Sequence, residues 1–288
     1  MSVCKRKPGT TIIDALTLCY KAEDDFLAYM REVSESIDFD KFSLYRTKGE
    51  RHSQYFNVKL YGIKVASLYF DRYGANGKEP YIWFRIDNYV LYDKPLLVET
   101  LSLPELLDLP FNNYTHLDLA RDYRYNIGNR VRTMMRNPEL KTILNGKQII
   151  DRKKTLKNVF RACGMSLDRD GGKGLVIKQA KAARNKNKGK TLACYDKIEE
   201  IKTESHKQYI IDFYGNPKRL HRFEVRLNKE DVNGIAKSLG IVVTEDIIFD
   251  IDKLDAIYLQ ALRSLLRFTH RRKELKWQML FDCNLRYR

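Results

Sequence analysis

Alternating apolar and polar residues predict that β-strands dominate the first half of the chain. Successive side chains of a strand point to opposite faces, so a period of two residues is typical of a half-buried strand. This pattern predicts strands over residues 12–20, 55–61, 63–73, 79–92 and 113–123. Further strands are predicted over residues 155–163, 174–178, 191–197 and 219–228.

Apolar residues at helical spacing predict a smaller number of helices between these strands. They cover residues 23–36, 129–144, 229–240 and 252–281, and Pro138 divides the second of them. A short helix is expected to begin near Leu103, with Pro104 early in it.

The predicted strand over residues 191–197 carries the chemistry that we consider first. Its alternation places Tyr195 and Lys197 on one face, and Glu199 and Glu200 follow at its end. A cation near a tyrosine favours the phenolate form, which is a usable nucleophile for covalent catalysis. An ordinary strand with a half-buried tyrosine has the same pattern, so this segment alone leaves both interpretations open.

The predicted strand over residues 113–123 places His116, Asp118 and Asp122 on one face. Two residues of strand span about 6.6 Å, so His116 and Asp118 could reach a single metal ion. Asp118 and Asp122 lie about 13 Å apart on a regular strand, too far to share one ion. A row of surface charges on an antiparallel strand is the alternative interpretation.

The strand over residues 219–228 shows the most regular alternation. Arg222, Glu224 and Arg226 are expected to face away from the core. A carboxylate flanked by two guanidinium groups is suited to hold a metal ion beside phosphates. A structural ladder of ion pairs would have the same pattern.

The net charge of the chain indicates which kind of binding partner to expect. The 288 residues include 53 Lys and Arg against 37 Asp and Glu, which gives a formal net charge of +16. Such an excess favours polyanions, so nucleic acid is the first candidate and an acidic membrane surface the second. A solvated basic surface is the alternative.

No apolar run approaches the ~20 residues of a membrane span. Five scattered cysteines argue for reduced thiols in a cytoplasm and against a zinc site.

Basic residues concentrate in two places. Every charged residue of the stretch 178–190 is basic, and the stretch has no large apolar side chain, so we expect a loop that follows a phosphate backbone. These residues are Lys178, Lys181, Arg184, Lys186, Lys188 and Lys190. The second half of the C-terminal helix is also basic and includes Arg271 and Arg272. These basic residues could bind duplex DNA, or they could only form a solvated face of the helix.

Taken together, three short motifs resemble those of the Rep-trans family, the rolling-circle replication initiators and related relaxases, which are HUH-like nicking and joining enzymes. The motifs are Asp118-Leu-Ala-Arg-Asp122, then Tyr195-x-Lys197-x-x-Glu200, then Arg222-Phe-Glu224 followed by Arg226. The resemblance covers roughly residues 110–240. The chain lacks the full His-hydrophobic-His triplet and a second tyrosine beside Tyr195, and His116 stands where the family usually has arginine.

The resemblance implies a site-specific DNA nickase of plasmid or phage type. Tyr195 would attack a phosphodiester, remain joined to the 5′ phosphate and free a 3′ hydroxyl. Lys197 would favour the phenolate or neutralise developing charge, with Glu200 completing the motif. Mg²⁺ or Mn²⁺ would be held by Asp118, Glu224 and His116. The candidate DNA contacts are the basic residues of 178–190 together with Arg222, Arg226, Arg271 and Arg272.

We therefore expect an α+β, HUH-endonuclease-like fold with a central, mainly antiparallel β-sheet, helices on one face and DNA on the other. Residues 1–105 would form a strand-rich part of the nickase domain, 106–245 the catalytic core, and 246–288 a basic amphipathic helix. The expected partner is single-stranded or hairpin origin DNA, with a host helicase as a further candidate and no membrane. Two alternatives stay open: a metal-dependent DNA hydrolase that uses water, and a non-catalytic DNA-binding protein.

Overall fold

The computed structural model describes residues 9–48, 53–71, 80–148, 165–168, 175–179 and 189–277. The fold is α+β with a large antiparallel sheet, which confirms the predicted class at this level. The chain divides into two compact units. We call the first the tyrosine unit; it comprises Met1–Ile12, Asp118–Val242 and Ile247–Arg288. The second, the inserted unit, comprises Ile13–Leu117 and Val243–Asp246.

The inserted unit is built on antiparallel strands in the order β1-β6-β5-β4-β3-β2. The strands are β1 (Ile12–Lys21), β2 (Ser36–Phe39), β3 (Phe42–Thr47), β4 (Ser53–Leu60), β5 (Ile63–Asp71) and β6 (Tyr81–Ile86). Its helices are α1 (Asp24–Glu32) and α2 (Lys94–Leu106), with a 3₁₀ turn over Asn88–Tyr92. The alternation that predicted β1, β4, β5 and β6 buries one face, for example at Phe56, Val58 and Phe84, whereas β2 and β3 were not predicted.

Three expectations for this unit were wrong in their limits. The helix predicted over 23–36 ends at Glu32, and Ser36 begins β2. The strand predicted over 79–92 ends at Ile86. The helix expected to begin near Leu103 begins at Lys94, because the Asp93 side chain caps it by accepting a hydrogen bond from the Leu96 amide. Pro104 therefore lies near the end of α2 and not at its beginning.

Strand β7 (Phe111–Tyr123) is shared between the units, and the division falls between Leu117 and Asp118. Its second part joins the strands of the tyrosine unit, in the order β10-β11-β12-β13-β7. These strands are β10 (Met165–Asp168), β11 (Leu175–Gln179), β12 (Thr191–Asp196) and β13 (His221–Asn228). A second, small sheet has the order β15-β14-β8-β9 and uses β8 (Lys141–Leu144), β9 (Lys147–Gln148), β14 (Leu266–His270) and β15 (Lys273–Glu274).

The helices of the tyrosine unit are α3 (Ile127–Arg136), α4 (Lys197–Glu200), α5 (Gln208–Phe213), α6 (Lys229–Leu239) and α7 (Ile251–Leu265). A π-helical turn over Ile201–Ser205 follows α4 directly, and a 3₁₀ turn over Glu245–Phe249 precedes α7. Among the described residues, no helix is both long enough and apolar enough to cross a membrane.

The pairing register of β12 and β13 places apolar side chains on one face of this sheet and polar side chains on the other. Cys194 pairs with Phe223, and helices pack on this apolar face: the Tyr258 hydroxyl of α7 donates to the Phe223 carbonyl at 2.9 Å. Gly128 of α3 comes so close that an added Cβ would lie 3.3 Å from the Cβ of Cys194. The neighbouring pairs, Tyr195 with Arg222 and Ala193 with Glu224, point to the opposite face.

The structure corrects several predicted limits in the tyrosine unit. Helix α3 ends at Arg136, and residues 141–144 form strand β8 where the helix was expected to continue. The helix predicted over 252–281 ends at Leu265, because the next residues form β14, whose buried Leu266 and Phe268 pair with β8. The strand predicted over 155–163 lies outside the described residues.

Candidate active site

Three neighbouring strands of the tyrosine unit bring four polar side chains together. Tyr195 of β12 donates its hydroxyl to Oε2 of Glu224 on β13 at 2.6 Å. The Nε of Arg226 donates to the other oxygen, Oε1, at 2.5 Å and lies 3.9 Å from Oδ2 of Asp118 on β7. The sheet therefore assembles a tyrosine, two carboxylates and a guanidinium from residues far apart in sequence.

The carboxylate at the centre of this cluster is buried while its two donors reach solvent. Glu224 is 1% exposed, Tyr195 is half-buried and the Arg226 side chain is 50% exposed. Burial alone would lower the pKa of Arg226, but the Glu224 carboxylate, with Asp118 beside it, raises the pKa well above its ordinary value. Arg226 is therefore a permanent cation over Glu224.

A second arginine on the same face has a different environment. Arg222 is 0% exposed and makes a bidentate pair with Asp122, with Nε to Oδ1 at 2.8 Å and a terminal nitrogen to Oδ2 at 2.6 Å. Its predicted exposure and its assignment as a DNA contact are wrong for this arrangement. A guanidinium sealed inside the protein on a carboxylate is out of reach of a phosphate.

Lys197 is also placed differently from the prediction. Strand β12 ends at Asp196, whose side chain accepts hydrogen bonds from the amides of Ile198 and Glu199 and so begins α4. Lys197 is thus the first helical residue, and its Nζ lies 2.7 Å from Oε2 of Glu200, one helical turn on. Its ammonium lies over the Tyr195 ring, 5.5 Å from the centroid. The predicted shared strand face is therefore wrong, although the two side chains are neighbours.

The predicted metal shell does not match the positions of its ligands. Both oxygens of Glu224 already accept hydrogen bonds, and the guanidinium of Arg226 lies near Asp118 where the cation was expected. His116 lies two residues before Asp118 on β7, as the alternation predicted. Across the described ranges, no three His, Cys, Asp or Glu side chains are placed to hold a metal ion. The residues in this arrangement do not fit Mg²⁺ or Mn²⁺, and metal binding stays a prediction.

Two basic residues, with a threonine between them, lie in a row across the sheet beside the cluster. Lys178 of β11 pairs with Thr191, which in turn pairs with Arg226, so the three residues lie side by side on adjacent strands. Lys178 is exposed and Lys190, just before β12, is half-buried. This row gives one end of the cluster a positive edge that could hold a phosphate.

The remaining predicted DNA contacts divide into two groups. Lys181, Arg184, Lys186 and Lys188 lie outside the described residues. Arg271 and Arg272 lie at the turn between β14 and β15 with φ values of 46° and 67°, and not on the predicted helix.

Sequence reasoning missed the direct contact between Tyr195 and Glu224. Both residues were singled out, but Glu224 was assigned to a metal ion. Their contact depends on the β12–β13 register, in which Glu224 pairs with Ala193 and so lies diagonally across from Tyr195. Only a prediction of that register could have found it.

Comparisons with known proteins leave the assignment open. No protein family matches the chain, and no curated protein matches it. Among solved structures, it is similar to the crystal structure of DynU16, described as a putative protein in the dynemicin biosynthetic locus. The two share 9% identity over 89% of this chain and 98% of that chain, with a TM-score of 0.25. A similarity of this size carries no argument about function.

Proposed function

We propose that this protein is a DNA nicking and joining enzyme of the kind that initiates rolling-circle replication, with Tyr195 as its nucleophile. The observation that carries the proposal is the hydrogen bond of 2.6 Å from the Tyr195 hydroxyl to the buried carboxylate of Glu224, which Arg226 holds from its other side. A nucleophile bonded to a base, with the base oriented by a third group, is the arrangement expected of an activated side chain.

The reaction follows from the groups on this face. The Tyr195 oxygen attacks a phosphodiester, keeps the 5′ phosphate as a phosphotyrosine and releases a 3′ hydroxyl. Arg226 is half-exposed beside the tyrosine and supplies positive charge to the phosphate oxygens, where charge develops. The covalent phosphotyrosine preserves the bond energy, so the 3′ hydroxyl can attack it and restore the strand.

Charge supports nucleic acid as the substrate. The chain carries a net charge of +16, and the row of Lys178 and Arg226 lies on the same face as Tyr195. Phosphate contacts of this kind position a nucleic acid without reading its sequence. Recognition of a particular origin sequence would need further contacts to base edges.

A covalent-adduct experiment tests the proposal. The full-length protein is incubated with a randomised single-stranded oligonucleotide library labelled at the 3′ end, with Mn²⁺, with Mg²⁺ or with EDTA. Denaturing electrophoresis should show label that migrates with the protein, because tyrosine retains the 5′ phosphate of the labelled fragment. Tyr195→Phe should abolish this band, while Tyr29→Phe, at an exposed tyrosine of α1, should leave it unchanged.

The other outcomes select the alternatives. Cleaved fragments with free ends, formed equally by Tyr195→Phe, would show a hydrolase that uses water. Intact oligonucleotides that are nevertheless bound would show a DNA-binding protein without catalytic activity.

A further inference from the structure

We infer that Glu224 is the general base that takes the proton of Tyr195, held in position by Arg226, and that this activation needs no metal ion bound to Glu224. The inference rests on the proposed function, because it concerns how the same tyrosine is activated. It replaces the metal-ligand role that the sequence suggested for Glu224.

The geometry fits proton transfer between these two side chains. A general base must lie within about 2.6–3.2 Å of the atom whose proton it takes. The distance from the Tyr195 oxygen to Oε2 of Glu224 is 2.6 Å. The carboxylate is fixed on the central strand β13 and is 1% exposed, so little water competes for it.

Arg226 fixes the position of the Glu224 carboxylate and compensates its charge, two effects that a metal ion bound to Glu224 would otherwise have. Its Nε bonds Oε1 of Glu224 at 2.5 Å, which leaves Oε2 to the tyrosine and fixes the plane of the carboxylate. The cation also compensates the negative charge of the Glu224 carboxylate, which is itself buried. A divalent ion on Glu224 would compete with this guanidinium and with the tyrosine hydroxyl for the two carboxylate oxygens.

The chemical step balances with water as the only further reactant. As the bond from the Tyr195 oxygen to phosphorus forms, the phenol proton passes to Glu224 and the bond from phosphorus to the 3′ oxygen breaks. The departing 3′ oxygen takes a proton from water, and no atom is oxidised or reduced. In the joining direction, the 3′ hydroxyl gives its proton to solvent as it attacks phosphorus, and protonated Glu224 returns its proton to the departing tyrosine oxygen, as microscopic reversibility requires.

The test combines a glutamine substitution with a metal-binding measurement. Glu224→Gln keeps the shape of the side chain but removes its basicity, so the rate of adduct formation should fall about 100- to 10,000-fold. Glu230→Gln removes the same charge at an exposed position of α6 and should leave the rate unchanged. The probe is the 3′-labelled oligonucleotide library, and its binding to Glu224→Gln should match that of the wild type.

Metal dependence provides a second readout, besides the rate of adduct formation by the variant. The wild type should form the adduct in EDTA, and electron paramagnetic resonance of added Mn²⁺ should give the same bound fraction for the wild type and Glu224→Gln. Urea unfolding of both proteins shows whether the variant is folded. Should it not fold, Glu224→Asp, which keeps the basicity but withdraws the carboxylate, should still form the adduct, at a reduced rate.

Three results would overturn the inference. The first is adduct formation by folded Glu224→Gln at the wild-type rate. The second is a strict requirement of the wild type for a divalent metal together with loss of Mn²⁺ binding in Glu224→Gln; both of these leave the tyrosine nickase intact. The third is the absence of any adduct with the wild type, which would overturn the proposed function as well.

Discussion

Arg222 and Arg226 lie on the same face of β13, each two residues from Glu224, but their surroundings differ. Arg222 is sealed on Asp122, whereas half of the Arg226 side chain is exposed. A buried ion pair loses far more when one partner is removed than an exposed pair does, because the remaining charge stays desolvated. The two arginines should therefore respond differently to the same substitution.

We predict that Arg222→Met lowers the free energy of unfolding by about 3–5 kcal/mol, because Asp122 is left as an unpaired buried charge. Arg226→Met should cost less stability, because water can reach the space that the side chain leaves, but it should weaken binding to single-stranded DNA. Urea unfolding and fluorescence anisotropy measure the two effects. Equal losses of stability would show that the burial of Arg222 has no energetic consequence.

The partial burial of His221 predicts that the free energy of unfolding depends on pH. Burial lowers the pKa of His221; Asp196 opposes this shift and Arg219 adds to it. A histidine with a lowered pKa favours folding in its neutral form, so its contribution is complete above about pH 6.5, the ordinary value, and is lost as the pH falls through the folded-state pKa. His221→Gln should flatten the fall in stability below pH 6.5, whereas His270→Gln, on the small sheet, serves as the control. Parallel pH profiles for the wild type and His221→Gln would contradict this.

At the scale of elements, the join between β12 and α4 determines where Lys197 lies. Asp196 accepts two amide hydrogen bonds at 3.1 Å, which ends the strand and begins the helix. Asp196→Ala should reduce stability by about 1 kcal/mol, whereas Asp196→Asn, which keeps an oxygen acceptor, should reduce it by less. Thermal unfolding at pH 8, where His221 is neutral, separates the cap from the contact of 4.0 Å between Asp196 and His221. Equal effects of the two substitutions would argue against a capping role.

The strands of the site could be predicted because their alternation is regular, and β7 and β13 lie close to their predicted limits. The end of α7 could not, because Leu266 and Phe268 continue an apolar pattern that fits either a helix or a strand. Their strand partner, β8, is far away in sequence. For the same reason the contact between Tyr195 and Glu224 was beyond reach: side-chain type and spacing give the face of a strand but not its register with a neighbour.

At the scale of the whole molecule, the stretch 178–190 should dominate the salt dependence of DNA binding. Each lost phosphate contact reduces the slope of log K against log salt by about 0.7 for single strands and about 0.9 for duplex DNA. A variant with alanine at four basic positions of this stretch should therefore have a flatter slope, by up to about three units on single strands. The four positions are Lys181, Arg184, Lys186 and Lys188.

The matched control changes four exposed lysines elsewhere in the tyrosine unit, and it should change the slope less. These are Lys202, Lys218, Lys229 and Lys237. Affinity is measured at several salt concentrations with two unrelated oligonucleotides of equal length. An unchanged slope in the first variant would show a solvated surface, and a changed preference between the oligonucleotides would show contacts to bases.

The division of the tyrosine unit into three chain segments has a consequence during protein synthesis. Arg121 bonds Thr11 from the first segment and lies 2.8 Å from Asp255 of α7, while Tyr258 of α7 bonds the carbonyl of Phe223 on β13. A ribosome that has already added Tyr195 has therefore not yet made the helix that packs behind the strands of the candidate site. If the proposed function holds, the nascent chain should stay unable to cut DNA until α7 emerges, and a product of premature termination would carry the tyrosine without its assembled site.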